Sequence, residues 1–254
     1  MSARRWRYRA ALLCLALFLA SPAAEAGPPF RTDDPEPVDY QHWEFYAFSS
    51  GTHVKGDTSG TLPGVEINYG VVPDVQLHVI APIAFDHPDG SGTKFGYGDT
   101  ELGVKYRFVQ EDENGWRPMV GIFPQFEAPT GNEHRSLGSG HGREFFPLWL
   151  QKSFGRWLTY GGGGYWVNPG AGNKNYWFTG WLWQYQLFDD LALGGEIFHQ
   201  TADTDGGKPS TGFNLGGIYD ITEHYHLLFS AGRGLQHAET TNMFSYYVAV
   251  QLTF

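Results

Sequence analysis

One cysteine is all this 254-residue chain has, and it sits at position 14, inside an N-terminal stretch that reads as a leader. Arg4, Arg5, Arg7 and Arg9 form a positive head, Ala10 to Ala20 is apolar, and Ala24-Glu25-Ala26 supplies an A-x-A cleavage pattern before Gly27. About a dozen apolar residues are too few to anchor the chain across a bilayer. Arg4-Arg5 is followed by Trp6-Arg7-Tyr8-Arg9, which departs from a twin-arginine signal. Cys14 follows Leu12 and Leu13 within the apolar segment and is no lipid-attachment site. The expectation is export with removal of residues 1–26. The chain that remains has no disulfide and no thiol nucleophile.

Positive charge is scarce as well. Lys and Arg number 17 against 27 acidic residues, for a formal net charge of −10. The leader holds four arginines and one glutamate, so its loss takes the charge to −13. Without Lys/Arg blocks, an acidic chain excludes nucleic acid as a partner. Also missing, beyond the leader, are any apolar run of membrane-helix length and any sustained helical period. What the chain has instead is 34 Gly, 9 Trp, 14 Tyr and 19 Phe, at a mean hydropathy of −0.34. Many rings and glycines in a polar chain fit a wall that is apolar on one side only.

A period of two gives about twelve strand-length segments, near 42–51, 61–71, 75–85, 97–109, 117–128, 143–154, 157–167, 175–187, 191–200, 210–221, 225–235 and 243–254. Most have the 9–11 or so residues that a tilted strand needs to cross a bilayer. Val72-Pro73-Asp74, Gly155-Arg156, Phe188-Asp189-Asp190 and Thr222-Glu223-His224 read as tight turns. Between them come longer loops at 52–60, 86–96, 131–142, 168–174, 201–209 and 236–242, with a middling turn at 110–116. Short and long links alternate, as in a transmembrane barrel with short periplasmic turns and longer external loops.

The rings are expected in two girdles at headgroup level. Trp43, Tyr69, Phe108, Trp116, Phe154, Trp157, Phe188, Tyr225 and Phe254 fall toward the short-turn rim. Phe85, Tyr97, Phe126, Trp166, Phe178, Phe198, Phe213 and Phe244 fall toward the other. In the final segment Phe244, Tyr246, Val248, Val250, Leu252 and Phe254 share one parity, and Ser245, Tyr247, Ala249, Gln251 and Thr253 the other. That strand is expected to pair with the first and close the sheet, leaving no unpaired backbone in hydrocarbon. Its terminal Phe254 resembles the C-terminal signature of Gram-negative outer-membrane proteins, which the barrel assembly machinery reads. The expectation is therefore an all-β, closed antiparallel transmembrane barrel of about 12 strands over 42–254. A Pro-rich periplasmic lead precedes it over 27–41. Lipid and lipopolysaccharide are the implied surroundings.

Two further stretches, GPPFRTDDPEPVDYQHWEFY (Gly27 to Tyr46) and GYGDTELGVKYRF (Gly96 to Phe108), resemble the outer-membrane transporter family labelled "putative MetA-pathway of phenol degradation". The resemblance touches both ends and the middle of the chain. It implies an association with the breakdown or uptake of aromatic compounds and brings no catalytic residues with it.

Candidate chemistry lies in the lumen. If Leu102, Val104, Tyr106 and Phe108 face lipid, then Asp99, Glu101, Lys105 and Arg107 face inward. The same parity places Glu66 and Asn68, Gln125 and Glu127, and Glu196 inside. Glu66, Glu101, Glu127, Lys105 and Arg107 then line one wall. Facing acids and bases set up a transverse field that selects polar solutes. The same charges also read as an ion-pair network that fills a narrow barrel. Rings at Phe45–Phe48, Phe145-Phe146 and Trp177–Trp183 offer an aromatic path, though lipid-facing placement explains most of them.

Other patterns carry less. Gly161–Gly164 lacks the helix and Lys-Ser/Thr of a phosphate loop and reads as a strand bend. His224 and His226 could share a metal but have no third ligand near in sequence. Asp203-Thr204-Asp205-Gly206 lacks the later acid of a calcium loop. His226 and Ser230 share a face but stand about 13 Å apart along a strand, too far for a hydrolase pair. A structural or adhesin barrel would carry larger external loops. The function expected is passive passage of small solutes, aromatic or hydrophobic ones included, with no cofactor, no metal and no catalytic residue. An outer-membrane esterase or phospholipase is the alternative.

Overall fold

The computed structural model describes residues 28–112 and 115–254, and the expected leader lies outside them. Twelve antiparallel strands follow in chain order: β1 Trp43–Val54, β2 Asp57–Val72, β3 Val75–Pro88, then β4 in two pieces, Lys94–Tyr97 and Thr100–Val109. β5 is also in two pieces, Met119–Ile122 and Gln125–Ala128. After it come β6 Arg143–Phe154, β7 Trp157–Val167, β8 Tyr176–Phe188, β9 Leu191–Gln200, β10 Ser210–Asp220, β11 Tyr225–Gln236 and β12 Phe244–Thr253. Each pairs with its chain neighbours, and β12 pairs with β1 from Glu44↔Thr253 to His53↔Phe244. The seam is finished by Trp43 N–H to the Phe254 carbonyl at 2.7 Å and Phe254 N–H to the Trp43 carbonyl at 3.1 Å. The sheet is a closed barrel with no edge.

Alternation decides what faces out. On β12 Val248 and Val250 are exposed, while Ala249 and Gln251, at the alternate positions, are buried. On β4 Leu102, Val104, Tyr106 and Phe108 are all exposed, and Lys105 is only 4% exposed. Such alternation around a whole barrel leaves an outer surface of large apolar side chains, which is stable against lipid and not against water. Eight of the nine rings expected at the short-turn rim, Trp43, Phe108, Trp116, Phe154, Trp157, Phe188, Tyr225 and Phe254, are exposed, and the ninth, Tyr69, is half-buried and stacked on Trp43. A charge on this face should be costly. Val248→Arg is expected to destabilise the barrel by about 2–4 kcal/mol if it lies near the bilayer midplane. Urea unfolding from lipid vesicles reads this, with Ala249→Ser on the inner face as the comparison.

Three expectations change. The loop at 52–60 is a tight turn at Lys55-Gly56, with Gly56 at φ +92°, because β1 and β2 run on as a polar hairpin. Phe178 and Phe198, expected in the upper girdle, point inward at 6% and 1% exposure, and Trp166 packs with them. Tyr176 to Phe188 carries rings on both parities, so Trp177, Trp181 and Trp183 take the lipid face and Tyr176 and Phe178 the lumen.

The third change is the largest. The lead, expected on the periplasmic side of the barrel, runs inside it. Thr32, Asp34 and Pro35 are fully buried there. Proline at 28, 29, 35 and 37 keeps this stretch out of helix and sheet, so most of its backbone groups are free to bond the wall. Glycine makes room for it. A Cβ on Gly70 of β2 would stand 1.9 Å from the Asp39 carbonyl oxygen, and one on Gly180 of β8 would stand 2.0 Å from the Thr32 hydroxyl.

Candidate functional site

Eight of the nine inward candidates form the wall that grips the lead or pair along it. Glu196 on β9 is 3% exposed and meets no cation among the described ion pairs. Its carboxylate instead collects four donors. Oε1 accepts the Arg31 N–H at 2.9 Å and the Asn214 amide at 2.6 Å. Oε2 accepts the Thr32 N–H at 2.8 Å and the Thr32 hydroxyl at 2.6 Å. Four hydrogen bonds hold a buried carboxylate where one or two would leave it under-solvated.

Across the lumen, Lys105 of β4 reaches Asp33 Oδ1 at 3.0 Å and both oxygens of Asp34 at 3.4 Å. Its ammonium also lies 5.0 Å from the Phe123 ring. Glu36 accepts from the Gln151 amide at 2.7 Å, and the Val38 N–H donates to Gln76 Oε1 at 2.9 Å. Phe30 packs on Leu158, Tyr160 and Leu182, and the Ser230 hydroxyl donates to the Pro29 carbonyl. The lead is thus held at both walls, by charge, amide and ring contacts along its length.

The remaining candidates are wall to wall. Asn68 donates to Glu66 at 2.9 Å, and His78, a residue the sequence reading did not single out, joins Asn68 at 2.7 Å and Glu101 at 3.0 Å. His78 could have been found, since Gln76, His78 and Ile80 share the face of β3 that meets Glu66. Glu127 pairs with Arg143 of β6, another missed residue, and Gln125 lines the same side. Arg107 sits near the short-turn rim, 2.7 Å from Asp74 and 3.9 Å from Glu36. Asp99 departs from the wall. It stands in the break within β4 and accepts the Gly131 N–H, the Ser139 N–H and the Ser139 hydroxyl, fastening the 129–142 loop instead.

The lead divides what space remains. One cavity of about 220 Å³ has Glu44, Glu66, His78, Glu101 and Lys105 on its wall and Asp33 and Glu36 on the lead. A second, of about 240 Å³, lies toward the long-loop end among Ser50, Asn214, Ser230 and Tyr247. Phe30 and Arg31 border both, so the lead is the partition between them. Phe123, Phe145, Trp149, Phe178 and Phe198 form a buried inward aromatic cluster, and Phe123 of this cluster borders the first cavity. His226 and Ser230 do not meet: His226 bonds Asp220 and Thr253, and Ser230 bonds the lead.

The partition can be tested without touching a charge. Gly180→Leu places a side chain where Thr32 lies and should expel the lead while the strand itself persists. The expected result is a higher ion conductance in planar bilayers; Thr179→Leu, on the opposite face, should leave it unchanged.

Among solved structures, the outer membrane channel COG4313 from Pseudomonas putida F1 is similar. It is 18% identical, with a TM-score of 0.70 over 91% of this chain and 100% of that one. The NanC porin is 10% identical, with a TM-score of 0.55 over 82% of this chain and 98% of that one. No curated protein matches by sequence. Closed β-barrel, lipid-facing wall and inward polar stripe coincide with a family match over residues 44–252: the chain belongs to the family described as "Putative MetA-pathway of phenol degradation".

Proposed function

We propose that this chain is an outer-membrane channel for passive diffusion of small solutes, aromatic compounds among them, and that its own lead holds it closed in the state described. The observation that carries the reading is the partition at Phe30 and Arg31 between two lumen cavities. A barrel of twelve strands is wide enough for a lumen beyond side-chain filling, unlike one of eight. Here the filling is supplied by a separable segment instead of by the wall. The outer-membrane placement is supported by the fold shared with the two channels above.

The choice of solute follows from the lining. Phe123, at the edge of the inward aromatic cluster, and Phe30 of the lead offer flat apolar contact in the first cavity, and the acidic and basic groups around them orient a polar substituent. No covalent step and no cofactor enters such a mechanism. The test is solute flux into lipid vesicles carrying the protein with residues 28–38 removed. Swelling in isosmotic phenylalanine and in arabinose should exceed that of protein-free vesicles and fall as solute size rises. Equal swelling with and without protein would remove the channel reading.

A further inference from the structure

Arg31 is the one cation of the partition, and the way it is held is unusual for an arginine in an acidic lumen. Among the described residues its guanidinium makes no direct ion pair within 4.0 Å, although the Glu196 carboxylate acts on its charge from the same wall. It lies over two rings, 4.5 Å from the centroid of Phe198 and 5.3 Å from that of Phe178, and donates to Gln200 Oε1 at 3.3 Å. The two rings stand 6.4 Å apart and 25° from parallel. Gln200 is turned for this contact, since its amide nitrogen donates to Asp203 Oδ2 at 3.2 Å and so its oxygen faces the guanidinium. Phe198 is fixed from behind by Gly212, where a Cβ would come within 2.5 Å of the ring. All of these holding groups sit on the barrel wall or the loop that follows β9. Only the occupant belongs to the lead.

We infer that Phe178, Phe198 and Gln200 form a binding slot for a planar organic cation, which Arg31 fills in cis as a stand-in for a free guanidinium solute. A delocalised, weakly hydrated guanidinium gains from ring faces and a fixed acceptor; a compact ammonium keeps its water and gains less. The slot exists whenever Arg31 is absent from it, so a free cation and the lead compete for the same rings. That a bound cation then passes through the barrel rests on the channel reading above; that it binds does not.

The probe is methylguanidinium, titrated by calorimetry into the detergent-solubilised protein, with methylammonium as comparison. Arg31→Ala should bind methylguanidinium saturably and more tightly than the parent protein does, and should bind methylammonium more weakly. Adding Phe198→Leu should weaken binding about tenfold, the loss of one cation–ring contact. Phe178→Leu serves if Phe198→Leu does not yield folded barrel. No saturable heat with Arg31→Ala, equal binding of both cations, or no effect of losing a ring would each overturn the slot. Calorimetry needs no ion flow, so a silent barrel that still binds would count against the channel and leave the slot standing.

Discussion

Removing residues 28–38 should turn a barrel with little current into one with a steady ohmic conductance. The lead contributes no strand and no part of the β12–β1 seam, so the cylinder keeps its full hydrogen-bond ladder without it. What goes is the partition and the contacts that seat it: Phe30 on its apolar pocket, two backbone bonds to Glu196, and the acids on Lys105. The two cavities that Phe30 and Arg31 separate then join along the barrel axis. Single-channel recording of the full-length and shortened proteins in the same bilayer reads the difference. Equal conductance would mean that ions already bypass the lead or that the barrel closes elsewhere.

Lys105→Met should loosen the lead nearly as far, by a single side chain. Asp34 is wholly buried and Asp33 partly so, and Lys105 is the cation that faces both. Removing one partner of a buried pair costs about 3–5 kcal/mol, because the remaining charge stays desolvated and unpaired. Spread over the seated and released states of the lead, that is roughly a hundredfold to several-thousandfold rise in the ratio of released to seated lead. Exchanging the charges, with Lys105→Asp and Asp34→Lys together, should recover much of the closure lost in either single variant. The double-mutant cycle on open probability measures this coupling. Additive effects of the two substitutions would show that the lead is not held by this pair.

The strands were legible because lipid on one side and a polar lumen on the other impose a strict alternation. Leu102, Val104, Tyr106 and Phe108 could be placed from parity alone, and with them Glu101, Lys105 and Arg107. Sequence pattern and structure part where that contrast disappears. Thr52 to Gly60 is polar on both parities, so a hairpin running on past the apolar belt looks like a loop. Tyr176 to Phe188 is aromatic on both, so Phe178 looked like a girdle residue.

The lead was illegible for a different reason. Its Pro-rich, charged composition is that of a solvated linker, and its irregular backbone has no period to betray burial. Its partners are remote, with Glu196 lying 164 residues from Thr32. Glu196 could be placed inside by parity, but nothing local says that its four donors include two backbone N–H groups from the start of the chain. Asp99 misled in the opposite direction: it has the parity of the wall, yet the break at Gly98-Asp99 releases it to the outer loop.

Thiol accessibility tests most directly whether the lead lies within the barrel. The only native cysteine is in the expected leader, so Thr32→Cys and Asp39→Cys, each with Cys14 replaced by Ala, introduce single reporters. Thr32 is fully buried and Asp39 is exposed. In vesicles, a water-soluble maleimide should label position 39 readily and leave position 32 unmodified until the protein is denatured. Equal labelling of the two in the folded state would contradict the account.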